Sequence, residues 1–379
     1  MLSIHRKINK GAIVLSISLF VSCNLADPLV SEVHETDFIN KTGEVINGNI
    51  LNLEVPGAQT IAVYDTLMLF TTNNPAGLLQ VYNTKTLKPI AMLCQQGRAR
   101  NEFANSSIYK SDQFYLRNND LIIVLRGEGG SVLKEINVSQ SIKKGHTVVE
   151  GINNLVLNSN ETVVGLDNNI DRLFVFNNHN YSIDQGDYNP PLFSVRDKDE
   201  DDDKNIKVYR RLVDFENDRY ATFWYAGSII KHPTKNIVVQ CMQTLDYIHY
   251  FNLDNGKHFA VHQAESPTFD NIKVPNNVVD EIYYYDYNHF SEAIGTEKFL
   301  LVMYMNGEYR KESIKKGNRE ATELLAFDWD GNYLGGVKLD LFVQDLAFEP
   351  KTNLLYGLRI RDEKIVTFDL SDFVKSIDK

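Results

Sequence analysis

The feature that most constrains this chain is a recurring pair of short apolar runs joined by a turn. LLQVYNTKTLKPIAML, LIIVLRGEGGSVLKEINV, LFVFNNHNYSI, YIHYFNLDNGKHFAV, LLAFDWDGNYLGGVKL and KIVTFDLSDF each read as β-branched or aromatic strands flanking a turn. No stretch keeps a helical period over several turns, so the reading is all-β. Asn255-Gly256 and Asp330-Gly331 tolerate positive φ, which predicts two-residue type I′ turns at both places. First strands begin near Leu78, Leu121, Leu173, Tyr247, Leu324 and Ile365, and three of the five intervals approach the about 40 to 50 residues of a propeller blade. The pattern predicts a six-bladed β-propeller with four-stranded antiparallel blades, a single domain over residues 45–379. Residues 45–53 are expected to lend a strand to the short last unit and close the ring, leaving few exposed edges. A β-sandwich pair is the rival, disfavoured by the near-regular spacing.

Ahead of this domain, Arg6, Lys7 and Lys10 precede an apolar run over residues 12–21. At about 10 residues the run suits a signal peptide and falls short of the about 20 that span a bilayer. Phe20-Val21-Ser22-Cys23 resembles a lipobox, which predicts a signal peptide over residues 1–22 and lipidation of Cys23. Two or three acyl chains would hold the chain stably, where one binds only marginally. Residues 23–44 then read as a tether. Asn24 stands where an inner-membrane lipoprotein would carry Asp, so the expected location is the cell envelope, lipid-anchored at the outer membrane.

A net charge of -11 leaves no basic footprint for nucleic acid. With Cys23 lipidated, only Cys94 and Cys241 remain, too few for a disulfide framework, and both sit in strand-like contexts that predict buried free thiols.

Gly97-Arg98-Ala99-Arg100-Asn101-Glu102-Phe103 resembles the Gly-x-Gly-Pro-x-Glu-Phe signature of the TolB-like propeller lipoproteins of Bacteroides, themselves similar to NHL-repeat propellers. Ala99 and Arg100 replace the usual Gly and Pro. The lipoprotein start and the hairpin at residues 327–332 extend the resemblance along the chain. It implies a structural motif, with Gly97 in a conformation closed to other residues, Glu102 accepting backbone N–H bonds between blades, and Phe103 completing it. It implies no catalytic residue and no cofactor.

Enzyme signatures for acyl transfer, zinc proteolysis, phosphate binding or dinucleotide binding are missing. In the histidine-rich hairpin, a two-residue turn at Asn255-Gly256 would set His249 opposite His262 with Cβ atoms about 5 Å apart and His258 on the same face. That falls short of the three or four ligands of a metal site, and half-buried sheet histidines are the favoured reading. The acidic run over residues 197–203 alternates like a calcium loop but has Asp202 where Gly is required and Val208 where a bidentate Glu belongs, so a solvated loop is expected. Tyr283, Tyr284, Tyr285 and Tyr287 fall in an interval too long for a plain blade and are the candidate ligand-binding residues; Phe223, Trp224 and Tyr225 read as core. The expected function is non-catalytic binding of a protein, peptide or glycan in the envelope. The alternative is a lactonase- or lyase-like propeller enzyme with a channel metal.

Overall fold

The computed structural model of the protein describes residues 33–38, 42–103, 109–127, 132–154, 161–166, 172–177, 193–197, 207–209, 227–243, 246–264, 287–309 and 322–378. An N-terminal segment holds β1 (Val33–Thr36), β2 (Thr42–Ile46) and β3 (Asn49–Glu54). Next come β4 (Ala58–Tyr64), β5 (Leu67–Thr72), β6 (Leu79–Asn83) and β7 (Pro89–Leu93), followed by β8 (Tyr109–Arg117), β9 (Asp120–Gly127), β10 (Val132–Asn137), helix α1 (Val138–Lys144) and β11 (Val149–Asn154). The middle of the chain gives β12 (Glu161–Leu166), β13 (Arg172–Asn177), β14 (Phe193–Asp197) and β15 (Lys207–Tyr209). It continues with β16 (Gly227–Lys231), β17 (Ile237–Met242), β18 (Tyr247–Asn252) and β19 (His258–Gln263), then β20 (Tyr287–Gly295), β21 (Phe299–Tyr309), β22 (Thr322–Asp328) and β23 (Tyr333–Leu339). The last unit is β24 (Asp345–Glu349), β25 (Leu354–Arg359), β26 (Lys364–Asp369) and helix α2 (Ser371–Ile377).

These strands form consecutive antiparallel sheets around a ring, a β-propeller. Five blades of four or five strands each carry the packing, and strands β12–β15 pair antiparallel in order beside them. The expectation of six uniform four-stranded antiparallel blades is thereby corrected. The physical reason lies in the N-terminal segment. Strand β1 adds a parallel fifth strand to β19, with Val33 beside Ala260, and β2 does the same to β23, with Val45 beside Lys338. Part of the stretch read as a tether is thus built into the ring. Strand β3 pairs antiparallel with β26 and completes the last blade, close to the expected closing strand.

Four apolar cores join the five blades in series. Alternation drives them, since each strand turns one row of side chains to each neighbouring blade. The innermost strands run parallel to one another: Asp345 and Glu349, the first and last residues of β24, accept the N–H groups of Ile61 within β4 and Asp65 just after it. Likewise Thr234 after β16 donates to Glu297 after β20.

Both predicted two-residue turns are longer. Asn252 and Lys257 close the first hairpin and Asp328 and Asn332 the second, each with only the glycine at positive φ, Gly256 at 70° and Gly331 at 85°. Asp328 stabilises its loop by accepting the N–H groups of Asp330 and Asn332. A left-handed glycine after a helical turn satisfies the strand twist as a type I′ pair would.

Candidate functional site

The connections divide the molecule into two unlike faces. Strand alternation puts the turns 65–66, 84–88, 118–119, 232–236, 253–257, 296–298, 329–332 and 350–353 on one side. The stretches 94–108, 178–192, 210–226, 264–286 and 310–321 all leave and return on the other. Among the described strands, those flanking a gap of twelve or more residues all end and begin on that second side.

On this long-connection face, between two blades, lies a buried polar cluster. Asp246 immediately precedes β18, Tyr304 stands on β21 and His289 on β20. Asp246 Oδ1 accepts the Tyr304 hydroxyl at 2.9 Å and lies 2.5 Å from His289 Nδ1. Asp246 is only 3% exposed and His289 16%. The backbone is tied in as well, the His289 N–H donating to Gln243 O and the Gln263 N–H to Asp246 O. Burial, and then the Asp246 carboxylate, push the Tyr304 phenol well above its ordinary range, so it stays a proton donor. The geometry orients the His289 ring with Nδ1 toward the carboxylate. Among the described residues no hydroxyl or thiol is hydrogen-bonded to that ring, and no three His, Cys, Asp or Glu side chains gather as metal ligands.

Phe38, fully buried, wedges into the same junction from the N-terminal segment. Its ring meets Tyr304 and Phe327 edge-on at 5.3 and 5.7 Å, and its N–H donates to Gln263 Oε1 at 2.9 Å. Gln263 reaches on to Asp37 Oδ1.

The Gly97–Phe103 motif sits on the same side. The Gly97 N–H donates to Phe103 O, the Glu102 N–H to Ala99 O, and Glu102 Oε2 accepts the Ala99 N–H at 2.8 Å. Glu102 O also takes a hydrogen bond from Lys134 of the next blade, whose ammonium lies 4.6 Å from the centre of the buried Phe103 ring. The motif is therefore a junction between blades. The reason for glycine differs from the expectation. The Gly97 backbone is not left-handed, but a Cβ there would come 1.9 Å from Glu102 Oε2, displacing a carboxylate that closes the turn.

The other sequence-predicted residues scatter. Cys23, Tyr283, Tyr284, Tyr285 and Phe223 to Tyr225 lie outside the described residues, and Tyr287 opens β20. Of the acidic run, Asp197 ends β14 and the rest lies outside. The longer turn shifts the histidine hairpin by two residues, so Ala260 faces His249, Tyr247 faces His262 and Phe251 faces His258. An even shift preserves the face, and all three histidines are buried together. His249 Nε2 lies 3.0 Å from Met242 Sδ, and burial, then His258, hold its ring neutral, well below the ordinary imidazole range. Cys94 and Cys241 are free and buried, and burial raises both thiols, which makes them inert. The residues missed by sequence reading are Asp246, His289 and Tyr304. They come from three strands of two blades and carry no local motif.

No protein-family model matches the sequence, and no curated protein sequence does. Among solved structures, a member of the DUF4221 family from Bacteroides vulgatus superposes with a TM-score of 0.54 at 9% identity, covering 85% of this chain and 97% of its own. What the two share is the fold. A protein from Bacteroides fragilis assigned as exported gives a TM-score of 0.48 at 13% identity, covering 89% of this chain and 98% of its own.

Proposed function

We propose that this chain is a non-catalytic envelope lipoprotein, anchored through Cys23 at the outer membrane, that binds a protein, peptide or glycan on its long-connection face. The asymmetry of the two faces carries the reading. A rigid ring in which every gap of twelve or more residues between the described strands opens and closes on one side, among shorter turns, has the form of a scaffold presenting loops. Tyr283, Tyr284, Tyr285 and Tyr287 belong to the stretch that joins β19 to β20 on that side, and tyrosine gives large contact area at low entropic cost. The likeness at Gly97–Phe103 to TolB-like lipoproteins supports the same assignment, since that motif is structural in both readings.

An array of envelope peptides and glycans, probed with wild type and Tyr→Ala variants, tests it. Loss of an anchoring tyrosine should cost on the order of 2 kcal/mol of binding, about thirtyfold in affinity, with Tm unchanged. Asp254→Ala, on the opposite face, should keep every hit. Retained binding in all four tyrosine variants, or their unfolding, would overturn the assignment. Metabolic fatty-acid labelling of Cys23→Ala tests the anchor; label persisting in the variant would refute it.

A further inference from the structure

We propose that the N-terminal segment fixes how the propeller stands on a membrane, with the tight-turn face toward the lipid and the long-connection face away from it. The inference rests on the reading of Cys23 as the anchored residue.

Strand β1 is parallel to β19, and β19 runs from the tight turn 253–257 to the start of the 264–286 connection. Thr36 is at the latter end, where its carbonyl accepts the Ala264 N–H. Val33 is therefore the end of β1 nearer the tight turns, so the backbone enters β1 from that side. The ten residues from Cys23 to Val33 reach at most about 35 Å. With the tight-turn face down, that reach is used in line with β1. With the other face down, the chain must reverse before Val33 and spend about 13 Å of that reach running back the length of the four-residue β1.

The attachment is firm. From Val33 onward the segment pairs with β19, buries Phe38 between two blades, pairs with β23 and finishes as the outer strand of a third blade. Pull on the anchor is thus borne by three blades.

Charge favours the same orientation. Lys85, Lys88, Lys235 and Lys257 are exposed on tight-turn connections, and Lys144 on the α1 connection at the same face, against the exposed acids Asp254, Glu297 and Asp330; none of these makes an ion pair among the described residues. Arg98, Arg100 and Arg361 are the corresponding unpaired cations described on the other face. Each cation held near an anionic headgroup adds about 1 kcal/mol of attraction.

The test uses full-length lipidated protein in vesicles of phosphatidylethanolamine and phosphatidylglycerol carrying a headgroup-linked energy acceptor. A donor is attached at Lys235→Cys on the tight-turn face or Arg361→Cys on the other; Cys94 and Cys241 stay unlabelled because they are buried. The expected result is a larger loss of donor emission at position 235 than at 361, with the difference reduced when phosphatidylglycerol is omitted. Equal losses, or a larger loss at 361, overturn the orientation. Flotation reports the anchor separately: if the chain fails to float, the reading of Cys23 fails. A form with hexahistidine in place of residues 1–23, held on nickel-chelating vesicles, then decides the orientation by the same two donors.

Discussion

Two junctions between blades solve the same packing problem by opposite means. Where the β16–β19 blade meets the β20–β23 blade, the gap is filled by an aromatic wedge. Phe38, brought from 225 residues away by its bond to Gln263, packs among Phe290, Tyr304, Phe327 and Tyr333. Where the last blade meets the β4–β7 blade, the inner strands are latched by carboxylates. Asp345 takes the Ile61 N–H at 2.5 Å and Glu349 the Asp65 N–H at 2.7 Å, each across 284 residues. Side-chain volume completes the first junction, and at the second directed hydrogen bonds are added to the apolar core between the blades. A wedge tolerates small shifts in register, whereas a carboxylate aimed at one N–H does not. The directional device is thus found where the two ends of the chain must meet in a fixed register.

The largest expected effect comes from removing the closing partner altogether. Deleting residues 364–379 strips β3 of the strand it pairs with and opens the ring. Because each blade is stabilised by its neighbours, the truncated chain should lose its cooperative thermal transition. A Tm equal to that of the full chain would show that the closure is dispensable.

Next come the two devices themselves. Phe38→Ala should cost about 3–5 kcal/mol, the range for emptying a fully buried aromatic site. Asp345→Ala leaves the Ile61 N–H without its acceptor and should cost about 1–3 kcal/mol. Denaturant melts of both variants order them. Were Asp345→Ala the worse, the carboxylate latch would outrank the wedge and the comparison would invert.

A smaller effect is a pH dependence in the blade carrying the wedge. His249 is held neutral by burial and then by His258, and His232 is lowered by burial and then by Lys235. Folded pKa values below the unfolded one mean that the unfolded chain takes up these protons first. The stabilisation is complete above the unfolded histidine pKa of about 6.5 and is lost as pH falls from there toward the folded values. Tm should be flat over about pH 7 to 8 and decline below about 6.5, less steeply in His249→Gln. A Tm that rises on acidification through that window contradicts the buried neutral ring.

The smallest effect belongs to the exposed rim. Lys298 pairs with Asp378 at 2.6 Å, with side chains 66% and 43% exposed, and Lys298→Ala should change stability by under about 1 kcal/mol. A larger loss would mean that α2 is clamped to its neighbour by charge as well as by Phe373.

Much of the strand content was legible. The first run of each quoted hairpin falls on a strand of a different sheet, because alternation of β-branched and aromatic residues is a local signal, but the second run of KIVTFDLSDF is helix α2 and not a strand, and the second run of LFVFNNHNYSI lies outside the described residues. The phase of the hairpins was not legible. The one beginning near Leu121 covers the second and third strands of its sheet and the one near Leu173 starts on a second strand, whereas those near Leu78, Tyr247 and Leu324 are third and fourth. Change of phase lengthened the interval from Leu173 to Tyr247, whereas the interval from Tyr247 to Leu324 joins third strand to third strand and is long because of the gap at 264–286. The motif at Gly97 to Phe103 was found as a motif, yet the need for glycine proved to be the space taken by Glu102.

By itself the sequence determined the strand-forming runs, the burial of Cys94 and Cys241, and the shared face of the three hairpin histidines, because period-2 patterning survives a turn of any even length difference. Only the tertiary structure decided the rest: the fifth strands β1 and β2, the wedge at Phe38, and the meeting of Asp246 with His289 and Tyr304. Each depends on which distant backbone edge or blade lies opposite. A chain's local pattern states which side chains want burial, but the partner that buries them is set by the closure of the ring.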